Sequence, residues 1–144
     1  MYRNIAVAYD SSPEAGRALA SAIDLAKTLG VGLQTVTVME RLPSYTAFGT
    51  AADATITLAL ENDRKRFYDQ MLAEAQTTAA RAGVTLESHL LDGETIDSIV
   101  EFVCSRKIDL LVIGLHHRPH RVSSIWSTVY TVAQNVPCSV LGVP

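Results

Sequence analysis

Residues 109–143, DLLVIGLHHRPHRVSSIWSTVYTVAQNVPCSVLGV, read as strand, glycine turn, polar loop, helix and strand. After Asp109, Leu110-Leu111-Val112-Ile113 is a continuous apolar run, the pattern of a strand buried on both faces. Gly114 ends it where a backbone turns sharply or approaches a ligand closely. The loop from Leu115 to Arg121 is basic, with His116, His117, Arg118, His120 and Arg121. Val122, Ile125, Trp126, Val129, Val132 and Ala133 then recur at helical spacing. Pro137 closes the helix, and Cys138 to Val143 is a second buried-type strand. Ligands of open α/β sheets sit where strand C-termini meet helix N-termini, which places a candidate site at this stretch.

The same alternation runs through the rest of the chain. Ile5 to Tyr9 is a first strand, and Asp10-Ser11-Ser12-Pro13-Glu14 reads as a helix start, with a capping hydroxyl or carboxylate and Pro in the first turn. Ala15, Ala18, Leu19, Ala22, Ile23, Ala26 and Leu29 form one apolar stripe, and Gly30 stops the helix. Leu33 to Met39 is a β-branched strand. Residues 40–52 are irregular and read as a loop near strand C-termini, where loops often shape sites. A long helix follows from about Ala54 to Ala82, ended by Gly83, with Glu61 to Arg66 as a solvated face. Val84 to Leu91 alternates apolar and polar, as a strand at or near a sheet edge does. After the turn Asp92-Gly93-Glu94-Thr95, the spacing of Ile96, Ile99, Val100, Val103 and Cys104 marks another helix. Five strands alternating with four helices imply an α/β fold, a single open parallel sheet with helices on both faces.

Composition narrows the function classes. The 144 residues are 48% hydrophobic, which suits one domain spanning 1–144. A net charge of −3 makes no electrostatic case for nucleic acid or an acidic membrane. There is no membrane-length apolar run and no apolar leader before the first strand, so the expected compartment is the cytoplasm. Cys104 and Cys138 lack ligand spacing and read as two small core residues, with no metal site expected.

Several residues converge on one end of the sheet. Gly114 offers a bare backbone to phosphates, and Ser123, Ser124, Ser127 and Thr128 offer hydroxyls at the start of the last helix. Asp10 stands after the first strand, in the zone for a ribose or base contact; Val38 and Met39, ending the second, are placed to line an adenine pocket. Each also has a plain structural reading: Asp10 and Ser123 as helix caps, Val38 as sheet core. The histidine-arginine loop is a weak metal site, and reads equally well as an anion-binding loop or a solvated one. GxxxxGK[ST], GxGxxG and GxSxG are all missing, and no nucleophile has an assigned base, so no catalytic residues are expected.

NIAVAYDSSPEA, DGETIDSIVEFVCSRKIDLLVIG and VAQNVPCSVLGV, in this order and at these distances, resemble the universal stress protein family of the UspA type over essentially the whole chain. The resemblance implies strand order 3-2-1-4-5, an adenine-nucleotide α-hydrolase-like sheet, a homodimer and a role in stress survival. Nucleotide-binding members carry a glycine, two residues, a glycine, nine residues, then a glycine and Ser or Thr. Here those positions fall on Gly114, His117, Ser127 and Thr128, so two glycines are replaced and the hydroxyl is kept. Asp10 matches the family's aspartate, and Val38 lies near its adenine-contacting position. The resemblance therefore implies a dimeric stress protein with a weak or vestigial adenine-nucleotide pocket, for ATP or AMP with magnesium. The alternative is a working ATP or AMP switch, with His and Arg donors replacing the glycines; a nucleotide hydrolase ranks last. In the implied order Cys138 to Val143 is an apolar sheet edge, and a two-fold homodimer through it would cover that edge.

Overall fold

Alternation of strand and helix is what the chain adopts. The structure is a computed structural model that describes residues 1–39, 54–116 and 126–144, and of Trp126 and Ser127 the backbone only. β1 (Ile5–Ala8), α1 (Pro13–Leu29), β2 (Leu33–Met39), α2 (Ala54–Arg81), β3 (Leu86–Asp92), α3 (Thr95–Ser105), β4 (Leu110–Gly114), α4 (Trp126–Asn135) and β5 (Ser139–Val143) follow one another. The strands form one five-stranded sheet in the order β3-β2-β1-β4-β5. Every pairing is parallel; Ile5 lies opposite Leu33 on one side and Leu110 on the other.

Period-two alternation divides the core between the sheet's faces. Ile5, Val7, Leu33, Leu110 and Val112 pack against Ala18, Leu19, Ala22, Ile23 and Ala26 of α1 and Ala75 and Ala79 of α2. Ala6, Val36 and Leu111 turn the other way, onto Ile99, Phe102 and Val103 of α3 and Val132 of α4. The alanine stripe lets α1 lie close on the sheet. Its start is fixed locally: Ser12 Oγ accepts from Ala15 N at 3.1 Å, Pro13 opens the first turn, and Asp10 Oδ1 accepts from Ser12 N at 2.8 Å. Its end is Gly30, at φ 67°, whose N–H reaches the carbonyls of Ala26 and Lys27. At the opposite end of the sheet from the β1–α1 turn, the Asp109 carboxylate accepts from Arg3 N at 2.8 Å and Asn4 N at 3.0 Å.

Some expectations need correction. Cys104 is exposed and Cys138 only half-buried, so neither is a buried core residue. The face of α3 that meets the sheet is Ile99, Phe102 and Val103; one step past Val103 rotates about 100° around a helix, which carries Cys104 out to solvent. Ala133 is exposed, while Val132 is buried and Val129 half-buried. β5 is an edge strand with Ser139 and Leu141 exposed rather than a strand buried on both faces. β3 starts at Leu86, two residues later than Val84, and is the other edge. The loop expected at 40–52 lies outside the described residues. Among the described residues, no helix is long and apolar enough to cross a membrane.

Candidate functional site

β1 sends the chain to β2 on one side, and β4 sends it to β5 on the other. The connections diverge between β1 and β4, and a crevice is left above their carboxyl ends. A cleft of about 1060 Å³ lies there. Ala8 to Ser12, leaving β1, form one wall, and Ile113 to His116, leaving β4, form another. Val36, Thr37 and Val38 bring in β2, Phe67, Tyr68 and Met71 bring in α2, and Thr128, Val129 and Tyr130 bring in α4.

Hydrogen bonds hold the β1 wall in place. Tyr9 N donates to Val36 O at 3.0 Å, and the buried Thr37 Oγ1 donates to Tyr9 O at 2.7 Å. Burial, then the Glu74 and Asp10 carboxylates, push the Tyr9 phenol above its ordinary value, so it stays protonated at neutral pH. Asp10 is exposed at the rim, bracing the turn into α1 through Ser12 N.

The β4 wall is pressed against the start of α1. A Cβ placed on Gly114 would meet Glu14 C at 2.5 Å, Glu14 O at 2.6 Å and Ala15 N at 2.8 Å. The glycine is therefore required by helix packing, whatever it does for a ligand. Leu115 N donates to Val143 O at 2.6 Å, which ties this wall to β5. His116 Nδ1 stands 3.1 Å from Glu14 Oε2, and Arg17 Nη2 is 3.7 Å from Glu14 Oε1. Arg17 Nε also donates to Pro144 O at 2.8 Å.

Of the residues singled out in the sequence, Asp10, Val38, Gly114 and Thr128 meet at this cleft. Met39 is half-buried and is not part of the lining. His117, His120 and Ser123 lie outside the described residues, as does the side chain of Ser127. Sequence reasoning missed Phe67, Tyr68 and Met71. The signal was present as an apolar group one helical turn long, directly after the charged run of the long helix.

Chemically, the cleft offers an apolar interior, backbone groups at strand ends, hydroxyls from Ser11, Ser12 and Thr128, and one side-chain carboxylate, Asp10. Among the described residues, no Lys or Arg lines it, and no group of three His, Cys, Asp or Glu is placed to hold a metal ion. The described lining suits a flat, mostly uncharged ring with a hydroxylated substituent.

A parallel sheet with helices on both faces and a crevice at its switch point defines a protein of the open, doubly wound α/β class. Within that class, the chain belongs to the universal stress protein family, which it matches over residues 1–144. The universal stress protein UspA from Lactobacillus plantarum is 26% identical to it, covers 99% of this chain and 98% of its own, and superposes with a TM-score of 0.68. A universal stress protein in complex with cAMP is 26% identical, with 99% and 97% covered and a TM-score of 0.67. The universal stress protein from Archaeoglobus fulgidus in complex with dAMP shares the fold at 22% identity, with 99% and 98% covered and a TM-score of 0.72. No curated protein matches the chain.

Proposed function

We propose that this universal stress protein takes the base and ribose of an adenine nucleotide into the cleft between β1 and β4 and holds the phosphates weakly. The observation that carries this reading is the convergence of Asp10, Val38, Gly114 and Thr128 on one crevice at the switch point. Val38, Ala8 and Ile113 give the base an apolar seat, and the exposed Asp10 carboxylate accepts from ribose hydroxyls. Family relatives have been solved with cAMP and with dAMP, ligands carrying a single phosphate. At the phosphate end, Gly114 is occupied by packing against α1, and the positions of two family glycines are His117 and Ser127. Magnesium would enter with the nucleotide's own phosphates, since Asp10 serves the ribose. The role is that of a nucleotide-responsive binding protein rather than an enzyme.

Isothermal titration with adenosine, AMP and ATP, with and without magnesium, tests the reading. The expected result is saturable but weak binding, with dissociation constants above about 100 µM, or about −5.5 kcal/mol, and little gain from added phosphates. Micromolar ATP binding that adenosine does not share would refute it.

The assembly proposed with it is a homodimer through Cys138 to Val143. Leu141, 40% exposed on the edge strand β5, would be covered by the same strand of a second copy. Light scattering at micromolar concentration should give the dimer mass; a monomer mass would contradict it.

A further inference from the structure

His116 carries the one basic side chain among the described residues of the cleft lining, and Glu14 occupies it. The two meet at 3.1 Å between Nδ1 and Oε2, with the Glu14 side chain only 20% exposed. Arg17 is drawn to the same carboxylate at 3.7 Å, and its Nε is spent on Pro144 O at 2.8 Å. The Glu14 carboxylate thus sits one contact behind the β4 wall of the cleft, against His116 and Arg17. Ser12 already caps α1, so the helix does not need Glu14 for that purpose.

We infer that Glu14 is a specificity-determining residue: it withholds His116 from the phosphates of a bound nucleotide and so biases the cleft against polyphosphates. The inference deepens the adenine-nucleotide reading and rests on it for the identity of the base. Coulomb repulsion acts between the carboxylate and each added phosphate, whereas the nucleoside is neutral, so the penalty grows with phosphate number. A phosphate that does bind must also compete with Glu14 for the His116 imidazole.

The test is calorimetric titration of wild type, Glu14→Gln and Asp24→Asn with adenosine, AMP, ATP and inorganic tripolyphosphate at low salt. Asp24→Asn makes the same charge change lower on the same helix, where the residue is exposed and does not line the cleft. Glu14→Gln should tighten ATP by about tenfold, AMP by less, and adenosine not at all; tripolyphosphate binding should rise, and Asp24→Asn should behave as wild type. Glu14→Ala should do the same, and serves if the Gln variant fails to fold. An unchanged ATP affinity, an equal gain for adenosine, or an equal gain in Asp24→Asn overturns the inference. If adenosine binds no variant while Glu14→Gln still gains tripolyphosphate, the adenine reading fails and the role of Glu14 stands.

Discussion

Replacing Gly114 with Ala adds one methyl group at the most crowded glycine of the site. The new carbon would lie 2.5 Å from Glu14 C, 2.6 Å from Glu14 O and 2.8 Å from Ala15 N. Favourable contacts between such atoms begin at about 3.5 Å, so roughly 1 Å must be opened between the end of β4 and the first turn of α1. All three atoms are backbone, and no side chain can rotate out of the way. Overpacking of this kind costs about 1–3 kcal/mol, and rigid neighbours place this site near the upper end. For a chain of this size, about 2–4 °C of melting temperature is lost per kcal/mol, so a drop of about 5–10 °C is expected. Gly16 supplies the internal control. It is exposed inside α1, and an added Cβ meets nothing within 4 Å. Gly16→Ala should therefore stabilise by about 0.5–1 kcal/mol, the ordinary gain of Ala over Gly in a helix. Thermal melts followed by circular dichroism read both. The same chemical change should move the two proteins in opposite directions; a Gly114→Ala melt within 1 °C of wild type would refute the packing argument.

Leu111→Ala, at a position with 0% exposure in the interior strand β4, should cost about 2–5 kcal/mol in urea unfolding. Asp109→Ala removes two bonds from backbone amides and should cost about 1–2 kcal/mol, discounted for their exposure. Burial, then the Arg106 guanidinium, lower the His89 imidazole from its ordinary value of 6.5, with Glu87 opposing. The unfolded chain therefore takes up a proton that the folded chain resists. Stability should fall as pH drops below about 6.5, and His89→Gln should flatten that slope in urea midpoints between pH 7.5 and 5. Leu141→Asp should leave the fold intact and yield a monomer by light scattering if β5 is the dimer edge.

Element order and type were legible because each segment obeys one period: 3.6 along α1, continuous apolar runs in β1 and β4. The stop of α1 was legible to the residue at Gly30, and its start to the stretch Asp10 to Glu14, within which Ser12 is the cap. Other features depend on what a segment packs against. The phase of α3 was misread by one residue, because Val103 and Cys104 are both small and apolar and only the neighbouring sheet decides which faces inward. The site was legible in part: Asp10, Val38, Gly114 and Thr128 follow from strand ends and motif spacing. The contribution of α2 and the Glu14–His116 contact were not, because they join residues that only the crossovers bring together.

The central claim is that an adenine nucleotide sits between the ends of β1 and β4. Its most direct test is a titration of isotope-labelled protein with AMP, followed by backbone amide chemical shifts. The expected result is a saturable set of shifts at Tyr9, Asp10, Ser11, Val38, Gly114 and Thr128, with Cys104 and the Arg3–Asn4 end of the sheet unmoved. Shifts that cluster away from those strand ends, or none at millimolar AMP, would contradict it.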